Sequence, residues 1–468
     1  MSLRALWTFL AIALPALASI LAPMSTVDLT YHLRAGREIL TTGAIPTVDT
    51  WTFTAAGTPW FDQQWGAQVV LRLVEVMGSW TGLVVLRAAL TASIAGCVLI
   101  IARRRGLDVR RAGFLTVGAF VVAAPAMALR PQLLGMACFA LTLLAVSERR
   151  RIPRVLWIVP IVAAVWANVH GSFFLAPVVL GLAWLEDLHD HRPASVRTAA
   201  AAVVSAAAAC LTPFGPAVWG YVAGLSSNAE VTSQVTEWQP TSLHDVPGIL
   251  FFGSALLVAV FLGRRGGRAP WPTLLWLGAF FAIGAYAQRG IAWWPFAATA
   301  AIVPLLQPRP QAVRVDSPLI RRLNTALVVA LVAAGIALLP FWRPLDPGTR
   351  TPVGLLTDAP SGVTAALRQV VRPGDRIFNA QAWGSWLEYA FPEATVAVDS
   401  RVEFFPPGVW RDYERVMRGE GDVPADLLDR GVRFVAVEAG APLDTIRLAS
   451  AGWTLVRTDL DGSVLVRQ

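Results

Sequence analysis

Side chains able to do acid–base or phosphate chemistry are sparse in this chain, and they gather at particular points beside its apolar runs. Asp28 stands a few residues beyond the first run, Leu3 to Pro23, with His32 and Arg34 at i+4 and i+6. On a helix those two would lie near the carboxylate. A carboxylate partly desolvated at a bilayer interface is a better base than one in water. Asp28 is therefore the candidate base. It also has a structural alternative as a helix N-cap, because Leu-Thr-Tyr-His-Leu follows it. Asp49 and Asp62 come later in the same loop. Asn168 and His170 sit in Trp166-Ala-Asn-Val-His-Gly-Ser-Phe, Glu237 and Trp238 in a second long loop, and Gln288 and Arg289 at the end of another apolar run. The candidate catalytic residues are Asp28, His32 and His170, and the candidate substrate-binding residues are Arg34, Asp62, Arg130, Asn168, Glu237 and Arg289.

Guanidinium forks match phosphate oxygens, so Arg34, Arg37, Arg130 and Arg289 are candidates to hold a phosphate; lipid headgroups offer the same contact. Arg289 is the strongest, since Gln288-Arg289-Gly290 joins two apolar runs and precedes Trp293-Trp294-Pro295. Each ionisable residue, taken alone, also fits a solvated loop or an interfacial anchor. Their concentration on one face of a membrane is what argues for a site. No His-x-x-x-His pair or carboxylate cluster marks a metal, so no cofactor is expected and nothing supports a divalent ion. His189-Asp190-His191, with Glu186 and Asp187 before it, reads as a solvated turn, and Cys97, Cys138 and Cys210 as small core residues within apolar runs.

The elements that position these residues follow from composition. The chain has 468 residues, 55% hydrophobic and 15% charged, with a mean hydropathy of +0.55. A soluble chain carries about a quarter charged residues, so a single soluble enzyme domain and a disordered chain are both excluded. The net charge is +8, yet every basic residue is arginine and the arginines cluster between apolar runs. That is the pattern of a polytopic membrane protein, not of a nucleic-acid binder. Runs near 3–23, 80–102, 112–129, 132–147, 154–169, 172–186, 198–212, 248–263, 271–288, 291–306 and 323–341 give about eleven transmembrane helices. The first run also fits a cleaved signal peptide.

Basic groups follow the even-numbered runs: Arg103–Arg105, Arg149–Arg151, then Arg192 and Arg197, then Arg264, Arg265 and Arg268, then Arg309, Arg314, Arg321 and Arg322. The expected topology is a cytoplasmic N-terminus and an outer C-terminus. Residues 1–342 form the transmembrane module, with outer loops 24–79 and 213–247. Gln64 to Met77 reads as an amphipathic segment along the membrane surface. Residues 343–468 are richer in charge and alternate between strands near 376–379, 395–399, 432–438, 453–458 and 463–467 and helices near 383–389, 409–417, 424–430 and 444–449. They read as an extracytoplasmic α/β domain without a dinucleotide fingerprint.

The first outer loop reads Asp28-Leu-Thr-Tyr-His32-Leu33-x-x-Gly36-x-x-Ile39, then Gly43-Ala-Ile-Pro46-x-x-Asp49-Thr-Trp-Thr-Phe-Thr, then Gly57-Thr-Pro-Trp60 and Gln64-Trp65. It resembles the first outer loop of a group of bacterial polytopic proteins related to GT-C glycosyltransferases. Trp166-Ala-Asn168-Val-His170-Gly171-Ser-Phe, Thr212-Pro213-Phe-Gly215, Thr236-Glu237-Trp238, Trp383-Gly384-Ser-Trp386 and Val398-Asp399-Ser-Arg401 extend the resemblance over most of the chain.

The resemblance implies a bacterial plasma-membrane enzyme with a GT-C-like helical module. Protein O-mannosyltransferases and the aminoarabinose transferase of lipid A are better-understood relatives. Such enzymes take a sugar from a polyprenyl-phosphate carrier on the outer side and place an acidic residue in the first outer loop, often an Asp-Glu pair. Here Leu29 follows Asp28. The implied reaction is an inverting transfer to an extracytoplasmic glycan, lipid or protein acceptor. Asp28 is the base, His32, Asn168 and His170 orient it or the acceptor, and Arg289 with Arg130 neutralises the leaving phosphate. A non-catalytic scaffold for lipid-linked precursors and a transporter or flippase of lipid-linked glycans are the alternatives. Against transport, no internal repeat is visible and the charges sit at the ends of spans instead of mid-membrane.

Overall fold

The computed structural model describes residues 1–227, 236–265, 269–306, 316–443 and 445–467. Arg268, Arg309 and Arg314 of the basic clusters, residues 228–235 of the second long loop, and Asp444 lie outside the described residues. In chain order the first elements are α1 (Leu3–Leu21), β1 (Met24–Ser25), α2 (Thr26–Thr42), α3 (Trp65–Arg104), α4 (Val109–Ala123) and α5 (Pro131–Glu148). Next come α6 (Ile158–Ala167), α7 (Leu175–His189), α8 (Ser195–Ala208), α9 (Ala217–Ser227), α10 (Val246–Gly263), α11 (Trp271–Tyr286), α12 (Trp294–Ile302) and α13 (Pro318–Ala337). The rest are β2 (Leu356–Thr357), α14 (Ser361–Val370), β3 (Arg376–Asn379), α15 (Gly384–Ala390), β4 (Thr395–Val396), α16 (Pro407–Met417), α17 (Val423–Asp429), β5 (Phe434–Glu438), α18 (Thr445–Ser450), β6 (Trp453–Thr458) and β7 (Gly462–Arg467). The chain divides into two compact units, Met1–Ala22 with Val84–Leu339, and Pro23–Leu83 with Pro340 onward.

The first unit is helical. Each of the eleven apolar runs read from the sequence coincides with a helix. Among the described residues, seven helices are long and apolar enough to cross a membrane; the shorter apolar ones cover Pro153–Ala167, Ser195–Ala208, Trp271–Tyr286 and Trp294–Leu305. Prolines account for part of the shortening, since Pro153 and Pro304 fall in 3₁₀ turns that flank α6 and α12. Side-chain caps set several helix starts: Ser2 accepts from the Ala5 N–H, Asp108 from Arg111, Asp245 from Gly248 and Ser317 from Ile320. The N-terminal ammonium donates to the Arg321 carbonyl at 2.8 Å, and Asn324 donates to the Met1 carbonyl at 3.2 Å, which fixes α1 beside α13.

The second unit is α/β and joins Pro23–Leu83 to the residues from Pro340 onward. Its five-stranded mixed sheet has the order β4-β3-β5-β7-β6. β4, β3 and β5 run parallel; β7 is antiparallel to both β5 and β6. The loop after α2 continues the sheet beyond β4, because Val396 N–H donates to the Trp51 carbonyl at 3.1 Å and Phe53 N–H to the Val396 carbonyl at 3.0 Å. Ala55 enters the same apolar core as Phe378, Val398, Trp410, Leu427, Val435 and Leu465. Residues 24–79, assigned by sequence to the membrane module, therefore fold with the C-terminal residues. From Trp65 the segment Gln64–Met77 is the first half of the helical run α3, which breaks at Ser79 with φ 51°; its Ala67 and Leu71 are fully buried, while Leu73, Val76 and Met77 are exposed.

Candidate functional site

In the second unit, α2 begins where the chain is pinned. β1 pairs in parallel with β2, Met24 opposite Leu356 and Ser25 opposite Thr357. The Thr26 hydroxyl reaches the carbonyls of Thr357 and Asp358 at 3.1 and 2.9 Å. Ser25, not Asp28, caps the helix, accepting from the Val27 N–H. Asp28 lies in the first turn, half-buried, where a carboxylate favours the helix N-terminus. The helix ends at Gly43, whose φ of 71° is left-handed, with its N–H on the Ile39 carbonyl.

One turn on, the expected neighbour His32 is 2% exposed. Its Nδ1 stands 3.4 Å from the Gln68 amide nitrogen, which donates to Asp62 Oδ1 at 2.6 Å. Asp62 Oδ2 and Gln68 Oε1 are buried without a hydrogen-bond partner among the described residues. Burial pushes the Asp62 carboxyl up to about 7, against the Gln68 hydrogen bond and the Arg401 charge. Burial also raises the Tyr31 phenol, and Asp28, Glu403 and Asp62 reinforce the shift, so these carboxylates share its surroundings.

Arg34, a candidate to hold a phosphate, is turned inward. It is 8% exposed and donates to the Glu388 and Pro392 carbonyls at 2.8 and 3.3 Å while stacking on Trp51. It closes the end of α15. Deeper lies an ion cluster that sequence reasoning missed. Arg401 bridges Asp49 and Asp399, each at 2.6 Å, among the rings of Trp51, Trp60 and Phe404. Desolvation works against the Arg401 charge, but the Asp399, Glu388 and Asp49 carboxylates outweigh it and hold the guanidinium above its ordinary range. Glu388 is fully buried with neither oxygen hydrogen-bonded among the described residues, and desolvation followed by Asp399 raises its carboxyl well above the carboxylate range. Asp49 and Arg401 were both visible as motif residues; the signal that they pair, 352 positions apart, was not.

The first unit gathers the other candidates in two places. Arg130 precedes α5 and pairs with Glu237 at 2.7 Å. The guanidinium of Arg289 stacks on Trp238 at 4.4 Å, and Gln132 donates to the Arg289 carbonyl at 3.3 Å. Gln288 ties the same turn to the second loop through the Gln239 carbonyl at 3.0 Å and Asp245 at 3.1 Å. Arg130, Glu237 and Arg289 thus converge from three loops. Asn168 and His170 shape the α6–α7 turn. Asn168 donates to the Ala164 and Leu211 carbonyls at 2.8 and 2.9 Å. His170 Nδ1 accepts from the Ser172 N–H at 3.1 Å, and Trp166 donates to the Ser172 hydroxyl at 3.1 Å. Gly135 makes room for this turn, since a Cβ there would stand 2.9 Å from the Trp166 indole nitrogen. Asp187, expected in a solvated turn, is 1% exposed and held by Arg149, Arg150 and Thr198. Among the described residues no three His, Cys, Asp or Glu side chains are placed to hold a metal ion.

No family model and no curated protein matches the sequence. Solved structures do match by fold. The apo structure of ArnT from Cupriavidus metallidurans is 16% identical with a TM-score of 0.56, covering 98% of this chain and 97% of that one. The oligosaccharyltransferase AglB from Archaeoglobus fulgidus, solved with an inhibitory peptide and a dolichol-phosphate, is 12% identical with a TM-score of 0.52, covering 93% of this chain and 69% of that one. A further structure of the Archaeoglobus fulgidus oligosaccharyltransferase, with zinc and sulfate, is 13% identical with a TM-score of 0.54, covering 100% of this chain and 73% of that one. These are GT-C glycosyltransferases, and the chain has their fold.

Proposed function

We propose that this chain of GT-C fold is a multi-pass membrane glycosyltransferase that moves a sugar from a polyprenyl-phosphate carrier to an extracytoplasmic acceptor. The observation that carries the reading is the convergence of Arg130, Glu237 and Arg289 from separate loops at one end of the helical unit. Ion pairing with Glu237 orients Arg130, and the Trp238 ring orients Arg289, so its guanidinium is pre-organised for a phosphate. The fold supports the class of reaction; the roles of individual side chains are the proposal.

In the proposed step an acceptor hydroxyl oxygen attacks the anomeric carbon. The bond from that carbon to the carrier phosphate breaks, and its electron pair leaves with the phosphate. Arg289 balances the developing charge, and Asp28 takes the hydroxyl proton. A single displacement inverts the anomeric centre. His32 supports α2 around the carboxylate, while Asn168 and His170 hold the α6–α7 turn.

Native mass spectrometry of the purified protein in mild detergent tests this. A retained polyprenyl-phosphate sugar on the wild type, lost from Arg289→Ala, is the expected result and names the sugar by mass. Only ordinary phospholipid, unchanged by the substitution, would remove Arg289 from the role and favour the scaffold or transport readings. With the donor identified, Asp28→Asn should lower transfer by roughly 100-fold or more with donor retention intact, the usual scale for losing a positioned base. Full activity in that variant would exclude Asp28 as the base.

A further inference from the structure

The other end of the helical unit, where the arginine clusters lie, holds a cavity of about 150 Å³ at the ends of α3, α5, α7 and α12 and the start of α11. Charges of both signs line it. Arg149 pairs with Asp187 at 3.0 Å and with Glu186 Oε2 at 2.7 Å; Arg150 pairs with Asp187 at 3.0 Å and with Asp190 Oδ2 at 2.7 Å. Those contacts leave Glu186 Oε1 and Asp190 Oδ1 without a hydrogen bond among the described residues. Arg105 is different. It is half-buried, donates to the Ser147 carbonyl at 3.1 Å, and has no ion-pair partner among the described residues.

The cavity thus offers one guanidinium with unused donors and two carboxylate oxygens with unused lone pairs. A simple anion would meet both carboxylates, and a simple cation would meet Arg105. A small zwitterion satisfies both. The surroundings supply the rest of the identification. Leu274 and Leu275 of α11, just beyond the cavity-lining Thr273, are 49% and 40% exposed. Trp271, at the start of the same helix, is 49% exposed and donates to His189 at 2.9 Å. Exposed leucines beside a hydrogen-bonded Trp mark the boundary between acyl chains and headgroups. We propose that this cavity binds the headgroup of an aminophospholipid, with Arg105 holding the phosphate and Glu186 and Asp190 receiving the primary ammonium. A guanidinium fork fits phosphate oxygens, and a primary ammonium brings three donors that a trimethylammonium lacks. The site is independent of the transfer reaction, since its lining shares no residue with Arg130, Glu237 or Arg289.

The test uses the full-length protein, delipidated in mild detergent and offered equal amounts of phosphatidylethanolamine, phosphatidylglycerol and phosphatidylcholine with identical acyl chains. Native mass spectrometry reads the retained lipid. Phosphatidylethanolamine should be retained several-fold over both others. Arg105→Gln should abolish that retention, and Arg104→Gln, an exposed neighbour outside the lining, should not. Glu186→Gln should reduce the preference for the ethanolamine over the choline lipid. Preferential retention of phosphatidylglycerol, or equal retention of all three, would overturn the proposal, as would retention unchanged by Arg105→Gln. If Arg105→Gln does not fold, the three-way competition on the wild type decides alone.

Discussion

Asp62 shows what a single residue's type says and what only its surroundings add. Its position in the first long loop marks it as a candidate site residue, but its burial and its link through Gln68 to His32 depend on how α2 and α3 cross. Its carboxyl is raised from 3.8 to about 7 by burial, so folding favours the protonated form. The sign follows from linkage. The stabilisation is complete below pH of about 4, where the carboxyl is protonated in both states. It is lost as pH rises toward about 7, because the unfolded chain releases the proton first. The slope cannot exceed roughly 1.4 kcal/mol per pH unit, and the whole shift amounts to at most roughly 4 kcal/mol. Asp62→Asn keeps an acceptor for Gln68 and cannot ionise. Thermal melts should therefore find the variant increasingly more stable than the wild type from pH 5 to 7, with the difference constant above pH of about 8. A difference independent of pH would mean that Asp62 titrates as a solvated carboxylate. The Asp49–Arg401–Asp399 cluster makes the same point: its members stand in recognisable motifs, yet their pairing is a fact of tertiary structure. Removing one partner from such a buried set leaves an uncompensated charge, so motif residues of this kind can be held for folding as well as for chemistry.

At the scale of elements, apolar length was the readable signal. Every apolar run became a helix because a stretch that buries or faces lipid must satisfy its backbone internally. The strands of the α/β unit were readable where β-branched residues alternate between turns, as with Thr454, Val456 and Thr458 of Trp453–Thr458. Among the described helices, α2, α9 and α14 carry no clear sequence signal: α2 and α9 lie within the stretches expected as long outer loops, and α14 follows Asp-Ala-Pro, where turn residues mask an amphipathic decapeptide. The path of α3 was hidden for another reason: its break at Ser79 leaves no proline signature, and one face of its first half packs on α2 at Gly36. That crossing hinges on Gly36. A Cβ there would stand 2.2 Å from the Gln68 carbonyl oxygen and 2.8 Å from the Arg72 Cβ. Backbone cannot yield as a flexible side chain does, so Gly36→Ala must push α2 and α3 apart. We expect a loss of about 1–3 kcal/mol, read as a lower melting temperature. Gly96→Ala, also in α3 but with nothing within 4 Å, should stay within about 1 kcal/mol of the wild type. Equal behaviour of the two variants would show that the crossing is looser than the contact implies.

At the scale of the whole molecule, each unit is built from two separate stretches of chain: Met1–Ala22 with Val84–Leu339, and Pro23–Leu83 with the residues from Pro340 onward. Hydropathy sees the change at about residue 340 but not the return of residues 23–83 to the same unit, because that grouping rests on pairs such as Met24 with Leu356 and Asp49 with Arg401. The grouping has a consequence for topology. β1 and α2 fold with the C-terminal strands, so residues 24–79 and the C-terminal residues must share one side of the membrane. The arginine clusters after alternate apolar runs predict an odd number of crossings between the termini and a cytoplasmic N-terminus, which labelling can test. Replacing Cys97, Cys138 and Cys210 with alanine gives a background for single-cysteine labelling. Leu460→Cys lies on the C-terminal unit at 99% exposure, and Ala194→Cys lies in the exposed turn between α7 and α8. A membrane-impermeant maleimide added to intact cells should label the first and spare the second until the cells are opened. The reverse pattern would put Asp28 on the cytoplasmic side, since it is bound by β1 to the C-terminal residues, and would exclude an outward-facing transfer with Asp28 as base. Labelling of both from outside would break the alternation of the arginine rule between α7 and the C-terminal unit, and an even number of crossings would then join them.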